Sequence, residues 1–146
     1  MTVGIGDELL RAEGAVVAGG FFEAVRPRMS AGRPFSETES EEDAPVVVLS
    51  HAFAARIVGA GPALGVTLSV NGESHTVVGV AAPGGQLPDV AELWIPSPPR
   101  RGSGGTRNNI NWRSLARIKP GVEASTVEAQ LSAIANNIRL TDPEAI

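Results

Sequence analysis

The chain has 146 residues, 42% of them hydrophobic and 19% charged, with a formal charge of -4. That length and apolar content suit one domain with a real core and exclude a wholly disordered chain, while the acidic balance argues against a nucleic-acid binder, which carries a basic excess. Cysteine is absent and Lys119 is the single lysine, which removes disulfides, thiol nucleophiles, thiolate metal sites, a Walker A loop and any further Schiff-base lysine.

From the N-terminus, Thr2 to Ile5 reads as a short strand, and Met1 followed by Thr2, Val3 and Gly4 offers neither the basic nor the apolar region expected of a secretory leader. Ala12 to Ala18 reads as a second strand, ending at Gly19-Gly20. Phe21, Phe22 and Val25 predict one or two helical turns stopped at Pro27, which has no N–H to continue a helix; at least one of the two phenylalanines is expected in the core. Glu37 to Asp43 carries carboxylates at Glu37, Glu39, Glu41, Glu42 and Asp43. It lacks the ligand spacing and turn glycine of a calcium loop, and is expected to be a solvated, mobile loop. Pro45 to Leu49 is an apolar, β-branched run and predicts a buried strand. Ser50 then stands where a helix cap belongs, Phe53, Ala54, Ile57 and Val58 share a helical face, and Gly59 is placed to close that helix.

Leu64 to Val80 holds the strongest local signal. Asn71-Gly72 lies between two β-branched runs, and both residues adopt the positive φ that a type I′ turn requires. A two-residue loop pairs Val70 with Glu73, Leu68 with His75 and Val66 with Val77. Val66, Leu68, Val70 and Val77 then share one face, and Thr67, Ser69, Ser74 and Thr76 the other. Past Thr76 the alternation ends, so that end of the strand is expected to be central and buried on both faces. His75 is expected beside Leu68 with its polar edge solvated. Pro83-Gly84-Gly85 and Pro88 mark a loop, Leu93-Trp94-Ile95 a short strand halted by Pro96, and Ser97 to Gly105 a flexible loop. Ile110, Trp112, Ser114, Ala116 and Ile118 alternate with Asn111, Arg113, Leu115, Arg117 and Lys119, the pattern of a half-buried strand with a basic outer side. Pro120-Gly121 is a turn. Ala124 to Leu140 predicts a closing helix with Val127, Leu131, Ile134 and Ile138 along one stripe. No apolar run reaches the 18 residues a membrane helix needs.

Little of this carries chemistry. Ser50 lacks the glycine neighbours of a nucleophile elbow, and a helix cap accounts for it. Two histidines, His51 and His75, with no cysteine and no His-x-x-x-His spacing make a weak case for a metal site. Arg100, Arg101, Arg107, Arg113, Arg117 and Lys119 could meet phosphates or lipid headgroups, but a solvated face explains them as well. The residues singled out are therefore structural: Asn71, Gly72, Ser50, Gly59 and Trp94, with no catalytic, metal or cofactor-binding residue.

Taken in order, Val17-Ala18-Gly19-Gly20-Phe21-Phe22, Gly32-Arg33-Pro34-Phe35, Val46-Val47-Val48-Leu49-Ser50, Leu64-Gly65, Leu68-x-Val70-Asn71-Gly72, Thr76-Val77-Val78-Gly79-Val80, Leu93-Trp94-Ile95-Pro96 and Ala116-Arg117-Ile118-Lys119-Pro120-Gly121 resemble the periplasmic core domain of MacB-like ABC transporter permeases, over roughly residues 10 to 140. The resemblance implies an α+β fold with a mixed or antiparallel sheet and a few packed helices, like the inserted, sabre-type part of that domain, ending in a helix that returns to the porter-like part. It implies one extracytoplasmic core domain across residues 1–146, cut from a longer protein whose membrane helices and ATPase lie elsewhere. It implies no enzymatic activity and no cofactor, but a relay of ATP-driven conformational change for export or mechanotransmission. The implied partners are the rest of the permease and its ATPase, a second permease copy and, in some systems, an extracytoplasmic adaptor. Two alternatives stay open: a free-standing extracytoplasmic binding domain, and, behind it, a small serine hydrolase.

Overall fold

The computed structural model describes residues 1–18, 20–84, 90–97 and 113–141. The chain divides into two compact units, Met1–Pro99 and Arg100–Ile146. In the first unit the elements run β1 (Thr2–Ile5), β2 (Glu8–Arg11), β3 (Gly14–Val17), α1 (Phe21–Val25), β4 (Met29–Gly32), α2 (Glu37–Glu41), β5 (Val46–Leu49), α3 (His51–Val58), β6 (Thr67–Val70), β7 (Glu73–Ala81) and β8 (Leu93–Pro96). The second unit contains α4 (Ala124–Thr141). No described helix is long and apolar enough to cross a membrane.

The described strands form one mixed eight-stranded sheet in the order β2-β1-β6-β7-β5-β8-β3, with β4 also on β7. The β3–β8 and β5–β7 pairings are parallel and the others antiparallel. β7 is the hub. β6 pairs with its first residues, β5 with its middle, and β4 with its last three. This is why alternation gives way after Thr76 to Val77, Gly79, Val80 and Ala81, all buried.

Alternation along the central strands divides the core between the sheet's two faces. Val47 and Leu49 of β5 and Leu93 of β8 join Val3, Leu68, Val70 and Val77 under α3, which contributes Phe53 and Ala54. Val48 and Trp94 point the other way, into a second cluster with Val17, Phe22, Phe35, Ala81 and Ala91. Ser50 caps α3, its Oγ accepting from the Phe53 N–H at 3.2 Å, and Gly59 ends the helix at φ 59°.

In the β6–β7 hairpin the pairs are Val70 with Glu73, Leu68 with His75 and Thr67 with Thr76. The ladder runs on as the Val77 N–H donates to the Val66 carbonyl at 2.9 Å. Asn71 and Gly72 have φ of 51° and 92°. Asn71 does more than turn the chain: its Oδ1 accepts from the Thr2 N–H at 3.0 Å, and its own N–H donates to the Thr2 carbonyl at 2.8 Å, fastening β1 beside β6. Gly72→Val should cost about 1–3 kcal/mol, the range for a strained backbone position. A Cβ there would meet nothing within 4 Å, so the loss comes from the positive φ alone, and Gly72→Asn should recover most of it. Urea midpoints of the two variants check this.

Several sequence expectations need correction. Glu37–Glu41 is a capped helix, not a loop. The alternating segment at 113–118 forms no strand and is exposed throughout. A strand requires a neighbour for its N–H and C=O groups, and no described strand pairs with that segment. His75 stands opposite Leu68 as expected but is more deeply buried than a solvated edge suggested, at 8% exposure, with its Nδ1 3.0 Å from the Glu73 carbonyl. β2 and β4 had no counterpart in the sequence reading. The loop expected over Ser97 to Gly105 and the start of the segment at Ile110 and Trp112 lie almost wholly outside the described residues. α4 extends to Thr141, and its stripe is open: Leu131, Ile134 and Ile138 are exposed.

Candidate functional site

The short helices α1 and α2 stand on the Trp94 side of the core, and a cleft of about 380 Å³ is lined by residues from both and from the segment ahead of α2. Gly20 enters α1 at φ 73°, which lets the chain turn straight into Phe21 and Phe22. Phe22 is buried, and its ring meets Phe21 edge-on at 5.2 Å, Phe35 edge-on at 4.8 Å and Trp94 at 6.3 Å. Such crossed pairs put the positive edge of one ring on the negative face of the next and brace the cluster.

The other wall is set by polar chemistry. Ser36 caps α2: its Oγ accepts from the Glu39 N–H at 3.1 Å, and Glu39 Oε2 accepts from the Ser36 N–H at 2.8 Å, a complete capping box. The Arg33 guanidinium closes on the same carboxylate, Nη1 to Oε2 at 2.7 Å and Nη2 to Oε1 at 2.8 Å. These bonds, the Arg33 pair first, hold the Glu39 carboxyl down at about 2 against burial that pushes it up. Arg33 is raised by the same bond.

A carboxylate whose pKa is depressed on folding stabilises the fold fully above its unfolded pKa, and the contribution is lost as pH falls toward the folded value. For Glu39 the window runs from 4.5 down to about 2. Stability at pH 3 should fall below that at pH 7 by about 1 kcal/mol from this site, the scale of a cap and an exposed ion pair. Glu39→Gln keeps a capping acceptor but cannot titrate, so its pH 7 to pH 3 loss should be smaller. Equal losses in the two proteins would remove Glu39 as the cause.

At the inner end of α2, Ser40 is 2% exposed and its Oγ has no hydrogen-bond partner among the described residues. A buried hydroxyl left unpaired costs about 1–3 kcal/mol. Ser40 also lines the cleft.

The residues singled out from the sequence lie elsewhere and are not gathered at one place. Asn71 and Gly72 form the hairpin tip, Ser50 and Gly59 the two ends of α3, and Trp94 the core beneath the cleft. Among the described residues no hydrogen bond links Ser50 to His51 or His75, and no group of three or more His, Asp or Glu could hold a metal. Arg33, Phe35, Ser36, Glu39 and Ser40 were not singled out. The Ser36-x-x-Glu39 spacing was the available signal, a capping box before a short helix.

The family model of the MacB-like periplasmic core domain matches residues 2–134. Over 122 residues the chain is 30% identical to the "Probable syringafactin export ATP-binding/permease protein SyfD" of Pseudomonas syringae pv. tomato, which covers 81% of this chain. The chain spans 18% of the length of that curated relative. Among solved structures, the periplasmic region of MacB from Actinobacillus actinomycetemcomitans superposes with a TM-score of 0.70 at 19% identity, over 94% of this chain and 62% of the other. The extracellular domain of the ABC-type transporter YknZ from Gram-positive bacteria gives 0.57 at 20% identity, over 66% and 49%. Both likenesses concern the fold. The family model runs from β1 well into α4, and on that match the chain belongs to the MacB-like periplasmic core domains, a family whose placement is extracytoplasmic.

Proposed function

We propose that this chain is the non-catalytic extracytoplasmic domain of a MacB-like ABC transporter permease, and that it relays ATP-driven conformational change. The carrying observation is the family match over residues 2–134, which takes in both compact units and supports their belonging to one core domain. The curated relative is an ATP-binding/permease protein of far greater length, which supports the rest of a permease and an ATPase as partners; a second permease copy and, where one exists, an adaptor complete the assembly of this proposal. The open stripe of Leu131, Ile134 and Ile138 on α4 fits a helix that packs on the remainder of the periplasmic domain.

A relay requires a body that moves without deforming, and the β7 hub, paired with three other strands, supplies that stiffness. The chain contributes no cysteine of its own, so labels can be placed singly. In the intact transporter, spin labels at Thr76→Cys, on the exposed side of β7, should change their distance between the two permease copies on ATP binding. A label pair within one domain, at Thr67→Cys and Ser74→Cys, should keep its distance. An unchanged distance between copies through the ATPase cycle would refute the relay.

A further inference from the structure

We propose that the cleft between α1 and α2 binds a small aromatic amine, ring inward and ammonium at the rim. The walls are aromatic: Phe21, Phe22 and Phe35 line the cleft, braced edge to face. A volume of about 380 Å³ lies at the small end of ligand pockets, enough for one ring and a short chain. The rim is acidic. Glu23 and Glu37 are exposed lining residues, and among the described residues neither makes an ion pair, whereas the cation beside them, Arg33, is already held in a fork by Glu39. Two carboxylates above phenyl faces favour an organic cation over an anion. The third element is Ser40, a lining residue whose buried Oγ has no hydrogen-bond partner among the described residues; turned to the cleft about its χ1 bond, the hydroxyl can accept from or donate to one polar atom on the ring. Walls, rim and hydroxyl together describe a phenol-bearing amine better than a plain hydrocarbon. The same end-group occurs as a free amine or as the N-terminal residue of a peptide.

The binding is a property of this chain and stands apart from the permease reading. Isotope-labelled chain titrated with tyramine should show saturable amide shifts at Phe22, Phe35 and Ser40. The length-matched acid 3-(4-hydroxyphenyl)propionate should bind at least about tenfold more weakly, as should tyramine to the Glu23→Gln/Glu37→Gln variant, whose exposed substitutions leave the fold and its spectrum intact. Ser40→Ala should weaken tyramine by about three- to tenfold, one hydrogen bond's worth, yet leave 2-phenylethylamine unchanged, which a merely structural effect would not do. The tripeptide Tyr-Gly-Gly separates the sources: affinity equal to tyramine identifies a peptide terminus, weaker affinity a free amine, and either supports the site. Absence of saturable shifts in the cleft, or equal binding of the acid and the amine, would overturn the proposal.

Discussion

Replacing Trp94 with alanine should cost about 3–5 kcal/mol, the range for truncating a buried tryptophan. Trp94 is 2% exposed and sits in the middle of β8, opposite Ala15 of β3 and Val48 of β5. Its indole is the largest side chain of the cluster under α1 and α2, and Phe22 rests against it at 6.3 Å. Two costs add: the apolar surface returned to water, and a cavity that the paired backbones of β3 and β5 cannot collapse to fill. Domains of this size hold about 5–15 kcal/mol in all, so urea unfolding of Trp94→Ala should begin at low denaturant. Trp94→Phe refills part of the volume and should lose less than half as much. A cost below about 1.5 kcal/mol for the alanine variant would show that α1 and α2 do not depend on this ring.

The second large effect is expected from a single methyl group. Gly79 lies in β7 opposite Gly32 of β4 on one edge and Val48 of β5 on the other. An alanine Cβ there would stand 2.9 Å from the carbonyl carbon of Arg33, closer still to its carbonyl oxygen, and 2.7 Å from the Met29 methyl. Methionine can swing aside. The Arg33 backbone cannot, because its N–H is bonded to the Val78 carbonyl at 3.0 Å. Overpacking costs about 1–3 kcal/mol, and contact with backbone puts Gly79→Ala at the upper end. For a chain of this length that lowers the thermal midpoint by about 6–12 °C. The cost is steric and local to β4, so amide exchange should rise first in Met29–Gly32; uniform loss across the sheet would contradict this origin.

What could be read from the sequence was what is written locally. Asn71-Gly72 specifies its own φ values, and the register of β6 on β7 follows from it. Val46–Leu49, Ser50 and Gly59 name a strand, a cap and a stop in succession. The Ile5-Gly6-Asp7-Glu8 turn into β2 was legible in principle, with Gly6 at φ 56°, but Leu9 is 76% exposed, so no apolar alternation advertises the strand. β4, Met-Ser-Ala-Gly, has no strand propensity to speak of. It exists because the last residues of β7 offer an open edge, information held elsewhere in the chain. At 113–118 the reverse occurs: the period of two is present, but Ser114 and Ala116 offer little to bury and the strand does not form. At the cleft, counting five carboxylates as a solvated run hid that one of them, Glu39, is committed to Ser36 and Arg33.

The sheet order also sets a timetable. β1 and β2 are contiguous and can close as soon as both are made, but Val3 must wait for Val70, and Gly14 for Leu93, before either finds its further partner. Such non-local pairings must overcome loop-closure entropy before they repay it, which slows folding into the millisecond-to-second range. Until β8 is available, β3 has no strand beside it and β5 lacks one of its two neighbours. A nascent chain that stops short of Ile95 therefore presents bare strand edges of high apolar content, such as Val46–Leu49, for as long as it waits. Refolding from denaturant should accordingly be concentration-sensitive well before the native state itself shows any tendency to associate.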